Sequence, residues 1–440
     1  MITLIAQYKA ERMVVQAMKK RRHSFLYYLI LLVGSYVLIY SPAAGDTGRR
    51  VDSKPLTILS DATGEIEEIL LQFSAPLSED LLTIYESLLK NIDPETRIFF
   101  VCEEAGQIHR LKSLLGMWGI VDRERIHFVN ADMTISAWAR DRFLVKASKD
   151  DQCARELLVP KISLKEGTDW INDREIPWLF ADRSGERVAV TPSKFYLEGG
   201  DIVSSGSNIF TSYSTVMKQS GDLDPGVVGR MEEELGNKIV VIGGPDVSAP
   251  LWHIDMYLTP ISDTTVLLAE PVDEKVMWKA GEGYTIVKDD AGTSTGSLRQ
   301  SAEWEMILSP PPKTMNSYDN VRVQLEARGF HVERIPIIHN EDHGVVTYNN
   351  VLMEERNQRR IVYMPVYGFE ELDRIAENKY QSLGFEVRRV NASSLYQYDG
   401  SLRCIVNVLA RDIHLLPSSL DPLLGSGQRV MPRNPSPIEY

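Results

Sequence analysis

The sequence predicts an α/β fold in which one β-β-α-β unit recurs and several copies pack together like the blades of a propeller. Three observations predict it. From Leu56 onward, short apolar strands alternate with amphipathic helices. Four pairs of short strands read as hairpins, and three of them run on into a helix and a further strand. Polar residues able to do chemistry recur at one place in the unit, about 8 to 15 residues past a closing strand, where the next hairpin starts.

The elements follow in order. Leu56-Thr57-Ile58-Leu59 is apolar and reads as a strand. Ser78 to Asn91 reads as a capped amphipathic helix. Arg97 to Val101 is a buried strand, Gln107 to Trp118 a helix, and Arg125 to Val129 a strand again. The hairpins are 143–146 with 156–160, 201–203 with 208–211, 256–259 with 265–268, and 350–353 with 360–365. Helices at 227–235, 318–328 and 370–383 follow the last three, and strands at 238–242, 331–335 and 386–390 close those units. The unit returns roughly every 60 to 90 residues, the signature of a repeat architecture. A single unit cannot bury its own sheet face, so copies must pack on one another.

Four regions are expected: a basic and hydrophobic segment at 1–45, a polar linker at 46–55, a catalytic domain at 56–411, and a Pro- and Ser-rich tail at 412–440. In the first, Lys19-Lys20-Arg21-Arg22-His23 precedes an uncharged run from Phe25 to Tyr40, and small residues follow at Ser41 to Gly45. That order is the order of a secretory signal. The run is shorter than the roughly 20 residues of a membrane span. A cleaved signal peptide and a membrane anchor both fit it. Either way the body is expected to be exported, periplasmic or secreted, or tethered outside the cytoplasm. Met18 would open the chain directly on the basic cluster and is a candidate start.

The chain has 48 Lys and Arg against 61 Asp and Glu, a formal charge of -13. With no basic stripe beyond the N-terminus, a nucleic-acid partner is not expected. Three cysteines, Cys102, Cys153 and Cys404, leave at least one thiol free unless chains cross-link. Cys102 and Cys153 are the two that could pair. No C-x-x-C spacing exists, and His339-Asn340-Glu341-Asp342-His343 reads as a polar loop before a strand rather than a metal cluster.

The chemistry is concentrated in a few stretches. In Leu251-Trp252-His253-Ile254-Asp255-Met256, an extended strand would put His253 and Asp255 on one face and turn Ile254 into packing. A proton carrier beside a carboxylate is a compact catalytic pair; a core histidine bonded to its neighbour is the plainer alternative. Trp138-Ala139-Arg140-Asp141, Tyr348-Asn349-Asn350 and Ser401-Leu402-Arg403-Cys404 occupy the equivalent place in other units, where rotational repetition would bring them to one axis. Glu198-Gly199-Gly200-Asp201 enters the second hairpin and reads otherwise as a glycine turn at positive φ.

Taken in order, Trp138-Ala139-Arg140-Asp141, Glu198-Gly199-Gly200-Asp201, His253-Ile254-Asp255 and Gly400-Ser401-Leu402-Arg403-Cys404 resemble the motifs of the guanidino-group-modifying, or pentein, superfamily. Over 56–411 the chain looks like an agmatine deiminase or a bacterial peptidylarginine deiminase. The resemblance implies the pentein fold, five β-β-α-β units around a central funnel. It implies a small guanidino substrate or an arginine side chain, and no metal or organic cofactor. Asp141 and Asp255 would grip the guanidinium, a planar and permanently charged group that needs paired carboxylates to be buried. Trp138 and Asn349 are further candidates for substrate contact. Cys404 would be the nucleophile, His253 the acid and base, and Glu198 would orient His253 or hold another guanidinium nitrogen.

Agmatine-type substrates rank first on motif order. Arg142-Phe143 and a lone Gly400 depart from the agmatine deiminase pattern and leave the substrate open; the export-like segment favours an extracellular arginine or peptidylarginine. An amidinotransferase on the same cysteine is the enzymatic alternative. A non-catalytic pentein that only binds a partner is the alternative of another class; the set Cys404, His253, Asp255, Glu198 and Asp141 speaks against it.

Overall fold

A computed structural model describes residues 56–120, 123–148, 155–161, 168–184, 188–220, 225–251, 253–271, 275–279, 283–287, 307–308, 312–340 and 344–412. The basic and hydrophobic segment, the whole linker, Cys153, Trp252 and almost all of the tail lie outside them. Among the described residues no helix is long and apolar enough to cross a membrane.

One three-strand pattern is written five times among the described residues. An antiparallel hairpin is extended by a parallel strand that returns through a helix. Leu144–Ala147 pairs antiparallel with Arg155–Lys161, which pairs parallel with Val188–Tyr196. Val203–Ser204, Asn208–Ser212 and Lys238–Ile242 repeat the pattern. Leu258–Pro260, Thr265–Pro271 and His331–Asn340 do so again, as do Leu352–Arg356, Arg359–Val366 and Phe385–Asn391. All four hairpins expected from the sequence are present, with their parallel partners.

The fifth copy is assembled from the two ends of the domain. Val406–Asp412 runs antiparallel to Glu65–Phe73, which pairs parallel with Arg97–Cys102, and Ile126–Asn130 adds a fourth strand. The sequence reading has no strand at 65–73, because Glu65, Glu67 and Glu68 make its first half look like a polar surface. In the fold Ile66, Ile69, Leu70, Leu71 and Phe73 are fully buried, as a strand covered on both faces requires. Glu68 is buried with them, and the guanidinium groups of Arg97 and Arg155 hold it there.

The returning helices follow their apolar stripes. Ser78–Asn91 buries Leu81, Ile84, Tyr85, Leu88 and Leu89. It lacks the expected side-chain cap, since Ser78 already lies inside it and a 3-10 turn at Ala75–Leu77 leads in. Glu370–Ser382 buries Leu372, Asp373, Ala376 and Tyr380, with Glu370 and Glu371 in its first turn, where the helix dipole favours negative charge. A small antiparallel sheet of Lys275–Lys279, Gly283–Val287 and Ile307–Leu308 is inserted before the helix Pro312–Ala327; the sequence reading did not foresee it.

Candidate active site

Each of the five sheets delivers its chemistry from the few residues that enter its hairpin. Trp138–Asp141 precede Leu144–Ala147, and a 3-10 turn at Gly199–Asp201 precedes Val203–Ser204. A second 3-10 turn at Ile254–Met256 precedes Leu258–Pro260. Asn349 and Asn350 precede Leu352–Arg356, and a third 3-10 turn at Arg403–Ile405 precedes Val406–Asp412.

His253 and Asp255 are not on a strand. His253 caps the 3-10 turn that contains Asp255. With about three residues per turn, residues two apart diverge instead of sharing a face. Ile254 packs into the core as expected, but the other two side chains take different levels. His253 is at the rim, with 29% of its side chain exposed. Asp255 is at the floor, with 0%.

At the rim, His253 Nε2 and Glu198 Oε2 share a hydrogen bond of 2.7 Å, and His253 Nδ1 lies 3.7 Å from Asp141 Oδ1. Burial would push the imidazole pKa down. Asp141, the Glu198 bond, Asp201 and Asp255 outweigh it and raise the value to about 10. The same bond pulls Glu198 down to about 2 against its own burial. At neutral pH the pair is therefore imidazolium and carboxylate.

The glycines of Glu198-Gly199-Gly200-Asp201 serve close approach. Among the described glycines at positive φ, neither Gly199 nor Gly200 is found. A Cβ on Gly199 would lie 1.8 Å from the Arg140 carbonyl oxygen, and one on Gly200 would lie 2.4 Å from His253 Nδ1. The Gly200 N–H donates to Asp141 Oδ1 at 3.0 Å, which ties the Asp141 loop to this turn. Gly400 works the same way, since a Cβ there would strike the indole of Trp138 at 2.3 Å.

At the floor, Cys404 is buried, its Sγ 3.9 Å from Met256 Sδ and 3.5 Å from Asn350 Oδ1. Burial, then the charges of Asp255 and Asp141, push the thiol well above its ordinary pKa; the Ser401 amide and Asn350 work against them. Asp255 is raised to about 6, first by burial and then by Asp141, while Arg403, His253 and Arg140 lower it. Neither carboxylate oxygen of Asp255 has a hydrogen-bond partner. Its nearest cation is Arg403, with Nη1 3.5 Å from Oδ2.

The structure thus brings Trp138, Asp141, Glu198, His253, Asp255 and Cys404 into one neighbourhood. Asn349 is the exception. Its amide donates to Thr259 Oγ1 at 3.1 Å and to the Leu267 carbonyl at 2.9 Å, which fixes it in the sheet behind. The residue at the site is Asn350, whose Oδ1 accepts from the Arg403 N–H at 2.7 Å and the Cys404 N–H at 3.2 Å. Sequence reasoning named Arg403 only inside its motif, without a role, and passed over Asp61. Cys102 is buried and held protonated, at about 12, by burial and then Glu103, so it is not a second nucleophile.

The mixed α/β fold and the family match together make this chain a guanidino-group deiminase. Residues 73–408 match the model of the Porphyromonas-type peptidyl-arginine deiminases, and the chain belongs to that family. Solved relatives carry the same mixed α/β fold. The agmatine deiminase of C. jejuni has 16% identity and a TM-score of 0.57, over 82% of this chain and 98% of that one. The agmatine deiminase of Enterococcus faecalis has 13% identity and a TM-score of 0.57, over 81% and 96%. No curated protein sequence matches the chain. Family membership removes the non-catalytic alternative.

Proposed function

We propose that this deiminase uses Cys404 to hydrolyse an agmatine-like or arginine-type guanidino group to a ureido product and ammonia. The observation that carries the reading is Asp255, wholly buried beside Cys404 with both oxygens free of hydrogen bonds. A buried carboxylate without hydrogen bonds is costly even beside the Arg403 cation, and a flat cation seated against it reduces the cost. Asp255 and Asp141 grip the guanidinium, and Trp138 supplies an aromatic face beside it.

The cation also corrects the thiol. The two carboxylates that oppose Cys404 ionisation are neutralised by the substrate, so the thiolate forms when its target arrives, its proton passing to solvent because His253 is already protonated. Sγ bonds to the guanidinium carbon. His253 gives its proton to the departing nitrogen, ammonia leaves, and a thiouronium ester remains on Cys404. The now neutral His253 takes a proton from water, hydroxide attacks the same carbon, and the C–S bond breaks to release the ureido product. Glu198 holds the imidazole throughout. The C. jejuni relative, solved as a cysteine-to-serine variant with substrate bound, supports a small guanidino ligand.

We also propose that the five sheets stand as blades around one funnel, supported by the fivefold entry of side chains from equivalent positions and by the pairing of 406–412 with 65–73. The export-like segment supports an enzyme acting outside the cytoplasm.

The test is direct. Protein is incubated with agmatine, arginine and a peptide with an internal arginine, and ammonia and ureido product are measured. Turnover of at least one, reduced about 10⁴-fold or more in Cys404→Ala, is expected. Full activity in that variant, or amidino transfer to an added amine without ammonia, overturns the proposal.

A further inference from the structure

Beneath the floor of the site lies a buried charge cluster that the proposed chemistry does not use. Asp61, in the loop before strand 65–73, forms ion pairs with Arg403 and Arg140, whose Nη2 atoms lie 2.7 Å and 3.5 Å from Oδ1. The Ser204 N–H donates to its other oxygen at 2.8 Å. Arg140 is otherwise committed to backbone, donating to the Gly199 and Ile202 carbonyls. Arg411, also near, donates to the carbonyls of Thr63, Gly64 and Met353. Arg403 differs from both. Its guanidinium stands between two carboxylates, Asp61 below and Asp255 above, and it belongs to the same 3-10 turn as Cys404.

The two distances are unequal. Arg403 is drawn down into a close ion pair with Asp61, at 2.7 Å, and stands off at 3.5 Å from Asp255. That stand-off matters because Arg403 carries the very group the substrate carries. A guanidinium free to close on Asp255 would occupy both of its acceptors in bidentate fashion. At 3.5 Å it stabilises the charge of Asp255 without filling its lone pairs.

We propose that Asp61 is a positioning residue for this site: it anchors Arg403 away from Asp255, so that the floor carboxylate stays charged yet open to the guanidinium of the substrate. This rests on the deiminase reading. The pKa directions agree with it. Burial pushes Asp61 up, but Arg403, Arg140, the Ser204 amide and Arg411 together hold it below the usual carboxylate range. Asp255 faces Arg403 and Arg140 as cations, His253 above and Asp141 across.

The experiment is steady-state kinetics of the full chain on whichever of agmatine, arginine or arginine peptide the wild type turns over. Asp61→Asn releases Arg403 as an internal competitor. KM is expected to rise about tenfold or more, the low end for loss of a supporting outer partner, with kcat at saturation nearly kept. Asp61→Asn/Arg403→Gln removes the competitor and is expected to recover most of that KM. Arg403→Gln alone is expected to move the acid limb of kcat/KM to higher pH, since Asp255 loses its cation; this also serves if Asp61→Asn does not fold. An unchanged KM in folded Asp61→Asn, no recovery in the double variant, or an unmoved acid limb in Arg403→Gln overturns the proposal alone. A wild type that turns over none of the three compounds sinks the deiminase reading and this proposal with it.

Discussion

His253 with Glu198 and Asp255 with Arg403 are the same chemical pairing, a carboxylate and a nitrogen cation, at two levels of one site. At the rim the pair is closed, 2.7 Å apart and hydrogen-bonded. At the floor it is held open at 3.5 Å with no hydrogen bond. The rim pair is spent on orienting the proton carrier, and the floor carboxylate is kept unspent for a ligand. A single residue, Ile254, separates His253 from Asp255 in sequence, and a 3-10 turn separates their roles.

The sharpest way to break this comparison is Asp255→Asn. The change removes the open acceptor, and kcat/KM should fall by about 10²–10³. Stability should move the other way. Asp255 has a folded pKa of about 6, above the ordinary carboxylate value. Such a group favours the fold below its unfolded pKa, and that contribution disappears as pH rises through about 6. At pH 7 the native ionised form is therefore strained, and the neutral isostere relieves it. Thermal melts at pH 7 should show a higher Tm for Asp255→Asn and no difference near pH 4. A lower Tm at pH 7 would mean that Arg403 contributes more than burial costs.

Glu198→Gln breaks the closed pair instead. His253, raised to about 10 in part by Glu198, should titrate at lower pH. A histidine with a raised folded pKa stabilises the protein below about 6.5 and loses that contribution up to about 10. The variant should therefore lose stability at pH 7 but little at pH 10. Activity should drop about 10²-fold, with the alkaline limb moved to lower pH. A pH profile that keeps its alkaline limb would detach that limb from His253.

How much of this was legible in the sequence follows from where each signal lies. The four hairpins and three of their returning strands are written in contiguous stretches, so periodicity finds them; the strand Val188–Tyr196 that returns from the first hairpin is not among them. The fifth sheet draws its hairpin from residues 65–73 and 406–412, and no local pattern joins strands that far apart. Its inner strand also opens on glutamates that only the folded arginines explain. Cys404, His253, Asp255, Glu198 and Asp141 stood out because their types are rare together and their motifs are ordered. Asp61 and Arg403 did not, because a lone Asp and an Arg beside a cysteine carry no pattern until the chain ends meet.

A smaller effect tests how tightly the rim is built. Gly200→Ala places a methyl group where His253 Nδ1 now sits within 2.4 Å. The ring must tilt away, lengthening its bond to Glu198 while the floor is untouched. kcat should fall about tenfold, in line with the cost of small misplacements, and KM should hold. A KM that rises with an unchanged kcat would place His253 in binding rather than proton transfer.

The smallest effect on catalysis belongs to Asn349, and it separates neighbours that the sequence cannot. Asn349 and Asn350 are adjacent and identical, yet one faces the sheet and the other faces Cys404. Asn349 gives its amide hydrogens to Thr259 and to the Leu267 carbonyl, linking two sheets behind the site. Asn349→Ala removes both bonds and leaves their buried acceptors short of a donor, a loss of about 1–3 kcal/mol. Tm should fall, while KM and kcat of the folded fraction stay near wild type. Asn350→Ala strips the acceptor from the Arg403 and Cys404 amides, so it should lower kcat more than it lowers Tm. If the two variants exchange these signatures, the turn at Arg403–Ile405 is held by something other than Asn350, and the register of the segment entering strand 352–356 is off by one.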